Sequence, residues 1–295
     1  MGSFATNLEK FFRQQSVLSN LIAINIVVFL ALKIISVACM LFNIEPFLNK
    51  FIALPASLTQ LVAAPWTLCS YMFVHYSFLH ILFNLLWLYW FGKLFLLFCT
   101  PRQLGGLYAL GGLAGAFLFV VSYNVFPYFQ SHVNAAYLIG ASASVMTIVF
   151  ATAFYKKDFE LNLLFIGKVK LIYVALFCLV LDLISIQSSN PGGHIAHIGG
   201  ALMGIWFATS YRKGKDLTAW INSIIDGIVN FFKKNKKRKK VKVHYKRSES
   251  NIEYNTRKAY QGQKIDEILD KIKQSGYNSL SEEEKRTLFD AGKKE

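Results

Sequence analysis

Charged side chains are scarce in this sequence. They make up 17% of its 295 residues, whereas soluble domains carry about a quarter. Hydrophobic residues make up 54%, and they are gathered in runs of about 20 that are long enough to cross a bilayer as helices. This composition excludes an ordinary soluble domain and predicts an integral membrane protein.

Acidic residues are fewer than basic ones, 17 against 32, and the formal net charge is +15. The excess positive charge is concentrated after residue 211, so it belongs to a C-terminal tail and not to the apolar part of the chain. Cysteine is also infrequent, and Cys39, Cys69, Cys99 and Cys178 lack the spacing of a metal site or a disulfide framework. We therefore interpret the four cysteines as small buried hydrophobic side chains.

The apolar residues fall into six segments, which predict an all-α, polytopic bundle of six transmembrane helices. The segments are roughly 17–40, 77–98, 104–126, 140–155, 168–188 and 193–211. Each is close to the length that a helix needs to cross about 30 Å, except the fourth, which is short. The fourth segment is therefore expected to begin below the membrane surface, inside the protein.

The positive charges of the loops predict the orientation of the bundle. Loops rich in positive charge alternate with loops poor in it, so the positive charges collect on one side of the bundle. They are Lys10, Arg13, Arg102, Lys156, Lys157, Lys168, Lys170, Arg212, Lys213 and Lys215. The positive-inside rule then places both termini in the cytoplasm and the start of the fourth segment near the outer face. We expect a multi-pass protein of a bacterial inner membrane.

The tail divides into a juxtamembrane linker and a terminal hairpin. Residues 216–234 place apolar side chains at helical spacing, which predicts an amphipathic helix on the inner membrane surface. The basic run 233–240 follows, and anionic lipid attracts such a run by about 1 kcal/mol per charge. Nucleic acid is the alternative partner, and we do not expect it, because neither the fold nor an aromatic groove favours it.

The last residues are expected to order again after a polar, flexible stretch at 248–262. Apolar residues from Ile265 to Ile272 form one helical stripe, and Ser281 with Glu284 forms a capping box for a second short helix. The predicted organisation is a cytosolic N-terminal segment at 1–16, a six-helix domain at 17–211, a linker at 212–260 and a helical hairpin at 261–295.

Two polar motifs lie inside the apolar segments. The fourth segment opens with small residues around Ser142, and the sixth carries His194 and His197. Polar groups are costly in a membrane, so they are candidates for function. A serine and a histidine are the two parts of a nucleophile and its base.

Small residues predict that the two motifs touch. Gly200 and Gly204 follow His197 on the same helical face, and Gly140 lies just before Ser142. Such faces let helices approach closely in membranes, which a side chain as short as serine needs to reach an imidazole. Taken singly, Ser142 and His197 are equally well read as polar groups that join helices.

The second segment adds His80 and Asn84, which are four residues apart and share one helical face. Two donors stacked in an apolar medium can hold a developing negative charge, although they can equally join two helices. The alternative is a metal site formed by His75, His80, His194 and His197. We do not expect a metal or a cofactor, because catalytic zinc sites often include a carboxylate and neither motif contains one.

Together these motifs resemble the rhomboid family of intramembrane serine proteases. The resemblance covers about residues 17–211 and depends on the order of the motifs, which is specific where each alone is not. They are Trp66 in a long first loop, His75-x4-His80-x3-Asn84, Gly140-x-Ser142, and Ala196-His197-x2-Gly200-x3-Gly204. The tail from about residue 261 more loosely resembles a short domain fused to some bacterial rhomboids.

The resemblance implies roles for these residues. Ser142 is the nucleophile and His197 the general base and acid of a dyad. His80, Asn84 and the backbone N–H of Ser142 form the oxyanion hole, and His75, Trp66, Gly140, Gly200 and Gly204 support the site. Substrates are transmembrane proteins cut near the outer membrane face.

The sequence departs from the family pattern at three places. Ala143 replaces a glycine beside the oxyanion pocket, Thr67 replaces an arginine, and Leu96 occupies an acidic position. Asp182 in the fifth segment suggests a triad, but the resemblance implies a dyad, so we expect Asp182 to pair with a polar neighbour such as His194.

Two other functions remain open from the sequence. A catalytically silent relative would bind transmembrane clients, but its expected mark is loss of the serine or the histidine, and both are present. A transporter or channel predicts polar residues through the full membrane depth and internal repeats. Neither feature is evident, so the protease is the preferred interpretation.

Overall fold

The structure is a computed structural model that describes residues 16–44, 51–163, 167–187, 190–233 and 251–292. The chain forms two compact units, Met1–Asn235 and Lys236–Glu295. The predicted N-terminal segment, except for Ser16, and the basic run after Lys233 lie outside the described residues.

Helices make up most of both units. In chain order they are α1 (Val17–Leu41), α2 (Leu58–Ala63), α3 (Thr67–Ser70), α4 (Phe78–Leu96), α5 (Pro101–Val125), α6 (Pro127–Gln130), α7 (Ser142–Tyr155), α8 (Leu171–Ser185), α9 (Pro191–Arg212), α10 (Ala219–Lys233), α11 (Asn251–Ser275) and α12 (Glu282–Gly292). Single 3₁₀ turns occur at Tyr71–Phe73 and Tyr277–Ser279. The long helices coincide with the six predicted segments to within a few residues at each end.

Two short antiparallel strand pairs complete the first unit. Strand β1 (Leu54–Pro55) pairs with β2 (Tyr137–Leu138), with Leu54 opposite Leu138. Strand β3 (Glu160–Leu163) pairs with β4 (Gly167–Lys170), with Glu160 opposite Lys170. Helix α8 therefore begins at Leu171, three residues later than the predicted apolar segment.

Three of the described helices, α1, α4 and α5, are long and apolar enough to cross a membrane, judged by length and composition. Helices α7 and α8 are apolar but have only 14 and 15 residues. Helix α9 has 22 residues, but its glycines and histidines lower its hydropathy. The protein is a helical membrane bundle with three clear spans, and six crossings remain a prediction.

Helix α7 forms the centre of the bundle. Its residues from Ala143 to Ala153 are all buried, whereas α1 and α8 leave much of their apolar surface exposed. A bilayer would cover that exposed surface, because lipid tails are as apolar as leucine side chains. The helix that carries the candidate serine is therefore the one held most firmly by protein.

Local sequence signals set the starts of the helices around α7. Ser77 caps α4 by accepting a hydrogen bond from the His80 N–H at 3.2 Å. Asn190 caps α9 through Gly193 N–H at 3.1 Å, and Pro191 occupies the first turn. These caps fix where α4 and α9 begin, and the candidate site residues lie within the first two turns of each helix.

The amphipathic helix predicted within 216–234 is α10, and it packs against the start of α5. Thr218 and Asn222 lie over Gly106, where a Cβ atom would come within 2.8 Å of both side chains. Arg102 of α5 forms an ion pair with Asp226, and Gln103 Nε2 donates to Asp216 at 3.0 Å. Beyond this contact, α10 exposes an apolar stripe of Trp220, Ile224, Ile228 and Phe231.

The second unit is a helical hairpin of α11 and α12. The predicted capping box forms, because Glu284 Oε2 accepts from Ser281 N–H at 2.7 Å and Ser281 Oγ accepts from Glu284 N–H at 3.3 Å. Hydrogen bonds from Lys271 and Ser281 lower the pKa of Glu284 to about 2. The structure corrects the prediction of a flexible stretch at 248–262, because α11 already begins at Asn251.

Three of the four cysteines are covered as predicted, and Cys69 is not. Cys39 and Cys99 are buried and Cys178 is half-buried, as small hydrophobic residues would be, but Cys69 is exposed. Cys69 lies in α3, a single turn in the long first loop, where its neighbours do not cover it.

Candidate active site

Ser142 is the first residue of α7, and the chain just before it is held in place. Gly140 has φ of +109°, a conformation that side chains with a Cβ atom rarely adopt. Its N–H donates to the Tyr71 carbonyl at 2.9 Å, and strand β2 pairs with the first loop just upstream. The turn is thereby fixed, and the Ser142 side chain projects from a rigid helix end.

The first loop is itself held through Trp66. The indole N–H of Trp66 donates to the Phe51 carbonyl at 2.8 Å, and the two rings stack with centroids 5.5 Å apart. Strand β1 of the same loop pairs with β2. The supporting role predicted for Trp66 therefore corresponds to a local tie within the loop rather than a contact with Ser142.

One cavity of about 470 Å³ collects the candidate residues of four helices. Ser142, His197, His80 and Asn84 all line it, and so does Asp182 of α8. No hydrogen bond joins Ser142 Oγ to His197 in the described part of the chain. Catalytic hydrogen bonds are often long before substrate binds, and the shared cavity is the evidence that these groups face one space.

The His197 ring is hydrogen-bonded to the carboxylate of Asp182. Its Nδ1 atom lies 2.8 Å from Asp182 Oδ1, and His194 Nδ1 lies 2.8 Å from the same oxygen. The expected pairing of Asp182 with His194 is confirmed, and the pairing with His197 is an addition to it. Because Nδ1 is engaged by the carboxylate, Nε2 is the ring nitrogen of His197 that remains available to Ser142.

The candidate oxyanion donors lie on one face of α4, as predicted. Asn84 Nδ2 donates one N–H to the His80 carbonyl at 2.8 Å, which leaves its second N–H for the cavity. The His80 ring lies beside Gly140, where a Cβ atom would come within 2.8 Å of Nε2. A larger residue at position 140 would therefore displace His80 as well as strain the turn.

His75 lies behind His80 and contacts the serine turn. The two rings meet edge to face with centroids 4.9 Å apart, and His75 Nε2 accepts the Ala141 N–H at 3.3 Å. Burial and the neighbouring His80 lower the pKa of His75 to about 4. A neutral imidazole retains the lone pair that this hydrogen bond needs, so His75 supports the turn as a neutral group.

The small residues of α9 bring it against α7. A Cβ atom on Gly200 would come within 2.2 Å of the Ala143 carbonyl oxygen, and one on Gly204 within 2.5 Å of the Thr147 carbonyl oxygen. Thr147 Oγ1 donates across this contact to the Gly200 carbonyl at 2.8 Å. The two backbones are therefore in contact one turn beyond Ser142 and His197.

Ala143 does not line the cavity. Its methyl group points towards α5, where a Cβ atom on Gly115 would come within 2.5 Å of it, and the residue is buried. The extra methyl group at this position is thus accommodated by a glycine of the neighbouring helix. The methyl group therefore does not crowd the candidate oxyanion donors, which line the cavity.

Asp182, His194 and His197 are also the residues that could hold a metal ion, since their ligand atoms lie within 4.8 Å of one another. The two histidine motifs contain no carboxylate, and this one comes from a different helix, α8. Two ligand atoms on a tetrahedral zinc ion are separated by about 3.3 Å. The two contacts of 2.8 Å are shorter and suit imidazole N–H groups that donate to a carboxylate.

Comparisons with known proteins agree with this architecture. A family model described as the rhomboid domain matches residues 63–214, which include α4, α5, α7, α8 and α9. The chain belongs to the rhomboid family. A second model, of a family of unknown function, matches residues 251–294 and so covers the C-terminal hairpin.

A curated rhomboid relative is the zebrafish (Danio rerio) presenilin-associated rhomboid-like protein A, mitochondrial. It is 30% identical over 197 residues, which cover 65% of this chain and 47% of the relative. The chain thus spans about half the length of that relative. Because the relative is mitochondrial, the bacterial inner membrane and the orientation of the termini stay predictions.

The sequence missed the contact between Asp182 and His197. An acid within an apolar segment is a signal of function, and Asp182 is such an acid. Because the resembled family has a dyad, the sequence favours a polar neighbour such as His194, and not the base, as the partner of Asp182. Only the packing of α8 on α9 places one carboxylate oxygen against both rings.

Proposed function

We propose that this rhomboid is an intramembrane serine endopeptidase that cleaves transmembrane proteins near one membrane face through Ser142 and His197. The observation that carries the proposal is the single cavity lined by Ser142, His197, His80 and Asn84. It supplies a nucleophile, a base and two oxyanion donors from three helices, which is what acyl transfer needs.

The proposed reaction begins when Ser142 Oγ attacks the carbonyl carbon of the scissile peptide bond. His197 Nε2 takes the hydroxyl proton, and the side-chain N–H groups of His80 and Asn84 stabilise the oxyanion. The Ser142 N–H is a third donor, because the first N–H groups of a helix have no partner within it. His197 then gives its proton to the leaving amine, and the acyl-enzyme remains. Next, His197 activates a water molecule, which hydrolyses the acyl-enzyme and frees Ser142.

The length of α7 supports cleavage below the membrane surface. Its 14 residues span about 21 Å at about 1.5 Å per residue, which is less than the roughly 30 Å of the hydrocarbon layer. If α7 ends at the far surface, Ser142 lies inside the layer, where a transmembrane substrate can reach it. We propose that α1, α4, α5, α7, α8 and α9 are the six crossings, with both termini on the side away from Ser142.

A serine-directed fluorophosphonate tests the proposal directly. We expect the purified protein to be labelled at Ser142, because His197 activates that hydroxyl for attack on phosphorus as it does for attack on a carbonyl. The measurement is in-gel fluorescence followed by mass spectrometry of the modified peptide. Ser142→Ala should remove the label.

Ser144→Ala is the matched control for labelling. Ser144 is one position beyond Ala143 on the same helix, it is buried, and its Oγ has no hydrogen-bond partner among the described residues. Its removal should leave labelling unchanged. Equal labelling of the protein and of Ser142→Ala, or none of the protein under any tested pH, would favour the catalytically silent alternative.

We also propose that the linker lies on the membrane surface. The exposed apolar stripe of α10 begins at Trp220, and the basic run follows directly after Lys233, so lipid tails and anionic headgroups would meet adjacent parts of one segment. The contacts of Arg102 with Asp226 and of Gln103 with Asp216 hold α10 at the start of α5. Nucleic acid is not part of this proposal.

Removal of residues 236–295 is expected to leave cleavage within about threefold of the full chain, because a compact unit folds by itself and the cavity lies wholly in the other unit. The measurement is the cleavage rate of a transmembrane substrate in vesicles. A loss of more than about tenfold, with the label of Ser142 retained, would instead make the tail a regulator of substrate access.

A further inference from the structure

Asp182 occupies an unusual position for a membrane-embedded acid. It lies on α8 and is 8% exposed, and one of its oxygens, Oδ1, contacts the rings of both His194 and His197. A buried carboxylate is costly unless it is hydrogen-bonded. The two imidazole groups offset that cost, and one of them is the proposed base.

We propose that Asp182 is a positioning residue for His197, and that His194 holds Asp182 in place for this task. The inference rests on the function proposed above and adds a third member to the dyad. The Nδ1–H of His197 donates to Asp182, which fixes the tautomer with the lone pair on Nε2. That nitrogen then faces the cavity as the acceptor for the Ser142 proton.

The geometry supports this role in two ways. The contact between His197 Nδ1 and Asp182 Oδ1 is 2.8 Å, which is a full hydrogen bond. It also joins α8 to α9, so the ring orientation of His197 is fixed from a neighbouring helix. An acid that orients the base through Nδ1 is the arrangement that soluble serine proteases use.

His194 supplies the second anchor. It lies one turn before His197 on α9, and its Nδ1 contacts the same Asp182 oxygen at 2.8 Å. The carboxylate is therefore held between two rings of one helix and has little freedom to turn away. A single contact to His197 would leave Asp182 free to rotate about its own side-chain bonds.

Other ionisable groups also face the array of Asp182, His194 and His197. Cys178 and Asp182 itself line the cavity from α8, and His80 lines it from α4. His80 also lies close enough to His197 to interact with it electrostatically. Asp182 is the acid of this set and the one that contacts Nδ1 of His197, so it is the residue able to select the tautomer.

The test is Asp182→Asn, measured as a rate per active site. Asparagine keeps the size of the side chain, but its amide N–H groups can donate to Nδ1 and so select the tautomer whose Nε2 carries the proton. We expect kcat to fall by about 10²-fold, at the low end of what general base catalysis contributes, with KM unchanged within about threefold. Asp182→Glu, which restores a carboxylate, should recover part of the loss.

Counting active sites separates positioning from stability. Fluorophosphonate labelling carried to completion gives the number of competent sites, and its time course gives the rate at each one. A positioning role slows labelling at each site, whereas a purely structural role lowers the number of sites and leaves their rate unchanged. The matched control is Asp158→Asn, the same chemical change at an exposed ion pair with Lys170, which should alter neither quantity.

His194→Ala tests whether His194 holds Asp182 in place. We expect a smaller fall in the rate per site than for Asp182→Asn, and no further fall when the two changes are combined, because both act through one array. Additive losses would contradict the role given to His194. A rate per site for Asp182→Asn within about threefold of the parent would overturn the inference, whereas an unlabelled parent protein would overturn the proposed function instead.

Discussion

Replacement of Ser142 by alanine is expected to abolish cleavage of a transmembrane substrate, and replacement of His197 by alanine should do nearly the same. Without Oγ there is no atom to form the acyl-enzyme, and without the His197 imidazole the proposed base that takes its proton is lost. Loss of a nucleophile or base in a serine protease costs on the order of 10⁶-fold in kcat. The measurement is the amount of cleaved substrate in vesicles, with detection limits set by a mock reaction.

Two neighbouring substitutions serve as controls for these losses. Ser144→Ala removes a buried hydroxyl from the same helix, and its Oγ has no hydrogen-bond partner among the described residues. His132→Ala removes an exposed imidazole from the loop after α6, where its Nδ1 lies 2.9 Å from the Ser131 hydroxyl. Both variants should cleave at the parent rate. Retained cleavage in either Ser142→Ala or His197→Ala would contradict the dyad.

Replacement of Gly200 by alanine is expected to destabilise the bundle and to lower cleavage at least about tenfold. The new Cβ atom would lie 2.2 Å from the Ala143 carbonyl oxygen, which belongs to a backbone and cannot rotate away. Helices α7 and α9 would have to separate, and overpacking of this kind costs about 1–3 kcal/mol. The same separation would move His197 away from Ser142, so activity falls more than stability alone requires.

Gly227→Ala is the matched control for Gly200→Ala. Gly227 also lies within a helix, and a Cβ atom there would meet nothing within 4 Å. Alanine is the better helix former, so this variant should be as stable as the parent or slightly more. Thermal unfolding in detergent and cleavage in vesicles measure the two effects. A Gly200→Ala protein as stable and as active as Gly227→Ala would show that the helices do not depend on this close approach.

Ala143 illustrates how a departure from a family pattern depends on its surroundings. The sequence places a methyl group next to the serine, where the family pattern has glycine. In the fold the residue after Ser142 points about 100° away around the helix, towards Gly115 rather than towards the cavity. The neighbour that accommodates the methyl group is 28 positions earlier in the chain, and only packing reveals it.

The sequence by itself determined the helices and most of the candidate site. Long apolar runs, capping residues such as Ser77 and Asn190, and small residues around Ser142 and His197 are local signals, and each acts within a few turns of its own position. They were sufficient to predict the bundle, its central contact and four of the residues that line the cavity.

Contacts between distant helices are not contained in these local signals, and tertiary structure alone decided them. The placement of Asp182 against two histidines depends on the rotation of α8 about its axis and on its packing against α9. The docking of α10 on Gly106 likewise depends on a contact between residues more than 100 positions apart. Periodicity assigns a residue to a face of its helix, but the neighbour of that face is chosen by the packing of the whole bundle.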